Sequence, residues 1–392
     1  MTHEHHPANV LNGQVKLITS QEELEGLHSF WASVQRYPAA DYEFFNLIAQ
    51  VRPNVVSPCV LALFRNGEPA ALVTGRIELG KMPIRFGYAN LGSIPVRQLV
   101  LIAGGYMGER TEANWRDLLT GVDALLRGPE LDLACFERLM VGSTEYESVL
   151  QKFKRSRLGP LEASRHWLFR PPFKWDDYLK SRPSKHRYQL KGFPKALDRD
   201  FASQWRIKSY CSPEETMEFI DAAESIARNT YQRGLKVGFC RNEETIRRVR
   251  LDARCGRLAG YVLFIRDEPK AFSYAFTYKG VLYLAATGYD PAYRTYRLGT
   301  IVMMKIFQDF CGNTVEVIDF GEGDADYKER FGSDCFLESS VCVFSRSARG
   351  RWLRGLRTAT VAGAKFGEQL LSLLQIKQQV KTRWRHRLEH KE

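Results

Sequence analysis

Apolar residues recur along this chain with two periods, and the order of the periods repeats. Val60-Leu-Ala-Leu-Phe64, a turn at Arg65-Asn66-Gly67-Glu68-Pro69 and a second apolar run from Ala70 to Ile77 predict a β-hairpin, because Asn-Gly favours a tight turn. A strand from Leu99 to Ala103 is expected to end at Gly104-Gly105. The spacing of Trp115, Leu118, Leu119, Val122 and Leu125 puts one apolar face on a helix over 112–127. A short strand at Leu131–Phe136 and a helix over 144–154 follow. The second half has the same order: strand Tyr261–Ile265, a turn at Arg266-Asp267-Glu268-Pro269, strand Ala271–Tyr278, strand Val281–Ala285 running to Gly288, helix 300–310, strand Val315–Phe320, and a helix from about Ala325. At an offset of 200 the hairpins share Leu63/Leu263, Phe64/Phe264, Glu68/Glu268, Pro69/Pro269 and Ala71/Ala271, which reads as an internal duplication.

The expected fold class is therefore α/β (α+β): two tandem domains with mixed central sheets flanked by helices. The expected boundaries are 1–165, a linker over 166–183 marked by Pro171-Pro172 and Pro183, a second domain over 184–345, and a basic helical tail over 346–392. A length of 392 residues with 44% hydrophobic content supports two cores and argues against disorder.

Charge changes the picture because it is uneven. Of the net +12, +9 belongs to Arg346–Glu392 and +7 to Lys180–Lys208, leaving −4 elsewhere. Two local basic segments point to anionic contacts at two places, with solvated helix faces as the bland alternative. In the tail, basic residues alternate with Trp352, Leu353, Leu356, Phe366, Leu370, Leu371, Leu374, Ile376 and Trp384. That pattern suits packing onto the domains, a partner helix or an anionic membrane surface. No apolar run reaches membrane-spanning length, and Met1–Pro7 lacks the regions of a signal peptide. None of the eight cysteines forms a Cys-x-x-Cys pair; Cys59 and Cys342 sit in apolar runs as small hydrophobes, so a reducing, cytoplasmic setting is expected.

Two segments carry candidate chemistry. Thr287-Gly288 leads through Tyr289-Asp290-Pro291 to Arg294, Arg297, Leu298, Gly299 and Thr300, where a helix opens. Unpaired amides of a first helical turn and two arginines suit phosphate oxygens. Asp319-Phe320-Gly321-Glu322-Gly323-Asp324-Ala325-Asp326-Tyr327-Lys328 places four carboxylates at the C-terminal end of a strand. The pattern of a calcium loop is absent, so no metal site is expected. His28, His166, His186, His386 and His390 lie in helix-like or basic contexts without a nearby acid and nucleophile. No Gly-x-Ser-x-Gly turn marks a covalent mechanism.

Ala259–Phe264, Ala286-Thr287-Gly288-Tyr289-Asp290-Pro291, Leu298-Gly299-Thr300 and Asp319-Phe320-Gly321-x-Gly323-Asp324-x-x-Tyr327-Lys328-x-x-Phe331-Gly332 resemble GNAT-type acetyltransferases of the CelD/BcsL group, linked to cellulose and exopolysaccharide synthesis. Tyr-Lys-x-x-Phe-Gly is also similar to the Phe-Lys-x-x-Phe-Gly of Fem-type peptidyl ligases. The resemblance implies an acyl-CoA co-substrate, acetyl-CoA or another, with its diphosphate at the amides of Leu298, Gly299 and Thr300 and beside Thr287, Arg294 and Arg297. It implies Asp324 or Glu322 as base, Tyr327 as proton donor to the leaving thiolate, and Lys328 facing an anionic acceptor. One departure is that Arg297 stands where the family's loop has its first glycine. The acceptor implied is a sugar, sugar nucleotide, glycan or amine. The alternatives are a Fem-like ligase taking aminoacyl groups from tRNA, with Lys180–Lys208 as the RNA contact, and a non-catalytic scaffold at the inner membrane face.

Overall fold

Strand pairing follows the duplicated pattern residue by residue. The computed structural model describes residues 10–11, 14–86, 89–158, 162–172, 174–230, 238–312 and 315–373. They form two units, one holding the chain as far as Ala163 and again from Leu337, the other Ser164–Phe336.

The first unit's sheet has β1 (Val10–Leu11), β2 (Val15–Ile18), β3 (Val55–Arg65), β4 (Glu68–Phe86), β5 (Ala89–Gly108) and β6 (Leu133–Met140) in chain order. Only β5–β6 is parallel among these pairs, with Gln98–Leu101 opposite Leu133–Phe136. The late strand β13 (Asp334–Phe344) pairs antiparallel with β6. The second unit orders β7 (Ala163–Phe169), β12 (Val317–Glu322), β11 (Val281–Tyr289), β10 (Glu268–Tyr278), β9 (Leu258–Ile265) and β8 (Trp205–Tyr210), with β11–β12 the parallel pair. The first unit thus takes a strand, β13, from a later stretch of chain, whereas β7 opens the second unit's own continuous run.

The two hairpins match in register as well as in sequence. Leu63 faces Ala71 as Leu263 faces Ala271, Phe64 faces Pro69 as Phe264 faces Pro269, and Ala70 and Lys270 are the respective bulged residues. Bulges are sequence-specified features of a ladder, so a shared one at the same offset supports duplication. Each sheet is covered on both faces. Helix Glu112–Arg127 packs Trp115, Leu118, Leu119, Val122 and Leu126 on Leu61, Leu63, Val73 and Leu99, while Trp31, Tyr42 and Phe45 cover Val60, Ala62 and Leu72. In the second unit Leu298, Ile301, Val302 and Phe307 pack on Leu263, Ala275, Leu282 and Ile318, and Phe219, Ile220 and Val249 lie against Val262, Phe272 and Tyr274. Alternation along each strand sends successive side chains to opposite cores.

Several expectations change. Gly104-Gly105 do not end a strand: β5 runs on to Gly108, and the two glycines belong to an irregular stretch, residues 102–105, opposite Thr74. A Cβ on Gly104 would stand 2.4 Å from the Tyr37 ring and one on Gly105 2.4 Å from the Thr74 hydroxyl. Residues 166–183 are not a linker. They hold most of β7 and helix Trp175–Ser181, whose Tyr178 and Leu179 are buried; the prolines punctuate elements and do not separate domains. Cys342 is not a free thiol, since it is disulfide-bonded to Cys135, its cross-strand partner on β6, with Cα atoms 4.2 Å apart. The tail begins as helix Ala348–Leu373, where Leu353 is buried with Met82, Val96, Leu133 and Phe344 while Trp352 is exposed. The side chains of Phe366, Leu370 and Leu371, and Leu374, Ile376 and Trp384 altogether, lie outside the described residues. Among the described residues no helix is long and apolar enough to cross a membrane.

Candidate active site

Parallel pairing between β11 and β12 covers Val281–Tyr283 against Val317–Asp319 and then stops, although β11 continues to Tyr289 and β12 to Glu322. A bulge at Ala285, which has no partner between Leu284 and Ala286 in the β10 register, turns β11 at this level. The two strands therefore splay toward their C-terminal ends. In that gap main-chain groups that a continuous ladder would consume are open to a ligand.

The chain leaves β11 through a short 3-10 helix, Pro291–Tyr296, opened by Asp290, whose carboxylate accepts the Ala292 amide. Arg297 then adopts a left-handed conformation (φ 55°, ψ 43°), and helix Leu298–Phe310 begins with no side-chain cap. The left-handed position is where a glycine is cheapest, so Arg297 keeps a glycine-like backbone without being glycine. The Thr300 amide already donates to the Arg297 carbonyl at 2.9 Å. This leaves the Leu298 and Gly299 amides as the donors of the first turn. Arg294 and Arg297 are exposed beside them. A Cβ on Gly299 would meet only the Tyr289 ring, at an ordinary 3.6 Å. Thr287 donates its hydroxyl to the Phe272 carbonyl at 3.1 Å. Gly288 is required for packing, since a Cβ there would lie 2.6 Å from the Phe272 ring.

The corresponding helix of the first unit is built differently. Its Thr111 hydroxyl caps the Asn114 amide, and Glu112 occupies the first turn. An N-terminus already capped and carrying a carboxylate repels a phosphate, whereas the uncapped, arginine-flanked one attracts it.

The acidic loop lies at the end of β12. Gly321 (φ 69°) and Gly323 (φ 113°) turn the chain through conformations that favour glycine. Lys328 is buried and donates its ammonium back to the Glu322 carbonyl. Phe331 is buried against Phe307 and Tyr178, and a Cβ on Gly332 would stand 2.6 Å from the Lys328 carbonyl. The Tyr-Lys-x-x-Phe-Gly run is thus a clasp, with Phe331 as anchor and Lys328 tying helix Asp326–Phe331 to the strand end. Truncating an aromatic anchor of this kind costs about 3–5 kcal/mol. Tyr327 is half-buried, its ring 6.2 Å from Phe320. The Glu322 carboxylate accepts the Ser164 hydroxyl at 2.8 Å, and Asp324 is exposed, 3.8 Å from the Arg165 guanidinium. Among the described residues no three His, Cys, Asp or Glu side chains are grouped to hold a metal.

One feature escaped the sequence reading. His166 lies on β7, a strand and not a helix, and its Nε2 is 2.8 Å from Oδ1 of Asp319; both are buried. That oxygen also accepts the Gly321 amide, and the imidazole stacks on Phe336 at 4.7 Å. An acid inside the apolar run Val317-Ile318-Asp319-Phe320 was the available signal, because a buried carboxylate demands a partner. Its partner stands 153 residues earlier in the chain.

Residues 184–329 match the sequence model of the acetyltransferase (GNAT) domain family. No curated protein matches the chain. Among solved structures, FemX is similar over 86% of this chain and 99% of its own at 10% identity, with a TM-score of 0.54. A conserved protein of unknown function from Bacteroides thetaiotaomicron covers 83% and 97% at 11% identity, TM-score 0.52. A tandem GNAT protein from the clavulanic acid pathway covers 86% and 100% at 9% identity, TM-score 0.50. At such identities the likeness is one of fold. The chain is a mixed α/β protein with the fold of these tandem GNAT-type structures, and its residues 184–329 match the acetyltransferase (GNAT) domain model.

Proposed function

We propose that the second unit is an acyl-CoA-dependent transferase acting on a sugar, sugar nucleotide or amine in envelope or exopolysaccharide synthesis. The observation that carries this reading is the gap between β11 and β12, which opens at the chain end leading into the uncapped, arginine-flanked helix at Leu298. The thioester lies in the gap and the diphosphate meets the Leu298 and Gly299 amides with Arg294 and Arg297. Attack by the acceptor is direct: its nitrogen or oxygen bonds to the acyl carbon, the carbon–sulfur bond breaks, and the thiolate leaves. Orientation of the pair supplies most of the rate, and a carboxylate takes the acceptor proton. Glu322 and Asp324 are the bases within the strand-end loop, and Tyr327 is the donor to the thiolate. Lys328, held on the Glu322 carbonyl, keeps that loop in place. The basic tail is directed toward anionic lipid. Titration calorimetry with acetyl-CoA tests the reading. Micromolar binding that Gly299→Asp abolishes supports it, and no binding to any acyl-CoA refutes it.

A second reading has its own observation. Helix Ser184–Phe201 carries Arg187, Lys191, Lys195 and Arg199 at intervals of four, and Tyr188 beside them is 81% exposed. Cations about 6 Å apart along a helix, with an exposed ring for base stacking, suit RNA. Such a surface favours a ligase that draws its acyl group from aminoacyl-tRNA. Salt-sensitive tRNA binding without CoA binding selects it.

A further inference from the structure

An open cavity of about 540 Å³ lies on the second unit, lined by Ser203, Gln204, Trp205, Arg206, Arg266 and Asp267. It sits where β8, the edge strand, begins and where the β9–β10 hairpin turns. Its backbone is costly. Ala202 (φ 47°, ψ −125°) adjoins it, and Arg266 (φ 52°) and Asp267 (φ 63°) form its hairpin turn, all in conformations that favour glycine. Three of the seven non-glycine residues with positive φ among the described residues therefore cluster around one cavity.

The duplication shows that this strain is not needed to make the turn. At the matching position of the first unit, with the same register on either side, the chain uses Asn66-Gly67, the pair suited to such a turn. Arg266 and Asp267 are exposed, so core packing does not compensate for the substitution. Strained residues on the surface concentrate where a side chain is required for binding.

The side chains name the ligand chemistry. Arg266 donates Nε to the Gln204 side-chain carbonyl at 3.0 Å with its guanidinium 5.8 Å from the Phe201 ring, and its two terminal nitrogens have no hydrogen-bond partner among the described residues. Arg206 gives one terminal nitrogen to Asp267 at 2.6 Å and retains its other donors. The Gln204 and Asp267 contacts hold the two guanidinium forks, and Ser203 adds a hydroxyl. Two forks with unspent donors and a hydroxyl match a tetrahedral oxyanion.

We propose that this cavity is a second anion site that binds a phosphate monoester. Two sources present that group: the 3′-phosphate of coenzyme A and a phosphorylated sugar acceptor. The site does not depend on the Leu298 corner.

The test uses the full-length protein and the variants R266N/D267G and R206Q, with thermal unfolding followed in inorganic phosphate against sodium chloride of equal ionic strength. The wild type is expected to show a phosphate-specific rise in midpoint. R266N/D267G, which restores the first unit's turn, is expected to unfold about 2–4 °C higher than wild type without ligand and to bind phosphate roughly tenfold more weakly. R206Q is expected to lose affinity without that gain in stability. Separate arms compare coenzyme A with 3′-dephospho-coenzyme A, and glucosamine 6-phosphate with glucosamine. The arm whose phosphate preference disappears in R266N/D267G identifies the source. A wild type with no phosphate-specific shift, or variants that bind phosphate as the wild type does, overturn the proposal. Failure of both coenzyme forms to bind the wild type counts against the transferase reading and leaves this site to be judged by inorganic phosphate alone.

Discussion

Replacing Arg297 by glycine separates what that residue costs from what it contributes. Its backbone is left-handed (φ 55°), a conformation that costs an L-residue about 1–2 kcal/mol and glycine almost nothing. Glycine also loses roughly 0.5–1 kcal/mol more entropy on folding, so the net gain is about 0.5–1 kcal/mol. The side chain is exposed and its backbone amide bond to the Arg294 carbonyl does not need it, so little else is lost. For a unit of this size the unfolding midpoint then rises by about 1–4 °C. Coenzyme affinity moves the other way. Removing one charge-assisted contact to a diphosphate is worth about 1.5–3 kcal/mol, a roughly 10- to 100-fold increase in Kd. Differential scanning calorimetry without ligand and titration calorimetry with acetyl-CoA read the two effects on one preparation. A midpoint that falls refutes the strain argument, and an unchanged Kd refutes a phosphate contact by Arg297.

Other expected outcomes follow from the same geometry. Gly299→Ala is tolerated and binds coenzyme as the wild type does, because its methyl meets only the Tyr289 ring at 3.6 Å, whereas Gly299→Asp abolishes binding through like charge. Lys328→Met lowers unfolding free energy by about 1–3 kcal/mol by leaving the Glu322 carbonyl without its donor, which urea titration measures. Burial and the nearby Arg182 and Arg330 hold the His186 pKa below its usual 6.5, so the unfolded chain takes up this proton first. Stability is therefore complete above pH 6.5 and falls as pH drops toward the folded-state value, and His186→Gln flattens that part of a midpoint–pH profile. Reducing Cys135–Cys342, which are 207 residues apart, lowers stability by about 2–4 kcal/mol, and Cys342→Ser in the first unit does the same and loses all response to reductant.

How far the fold can be read from sequence depended on whether the signal was local. Helix Glu112–Arg127 has the predicted bounds because its apolar period and the Thr111 cap are written within one segment. The hairpins were legible from Asn66-Gly67 and from five matched residues, and the structure extends the match to the bulges at Ala70 and Lys270. No strand was expected between Ile77 and Leu99, yet β4 and β5 run through this stretch paired with each other, which no local pattern declares. β7 and β13 illustrate the same limit, since each joins the sheet of the other half of the sequence. Arg294, Arg297, Leu298 and Gly299, expected to meet a diphosphate, lie in close succession at one helix start. Glu322, Asp324, Tyr327 and Lys328 gather at the end of β12, and Lys328 faces inward. The His166–Asp319 contact was hidden by its separation, and Arg266-Asp267 read only as a turn because its strain is visible only in the backbone angles.

The most direct measurement of the transferase reading is a crystal structure of the protein soaked with coenzyme A. The diphosphate oxygens are predicted within about 3 Å of the Leu298 and Gly299 amides, with the thiol between β11 and β12. Coenzyme seated elsewhere, or this helix start covered by a neighbouring side chain, would contradict it.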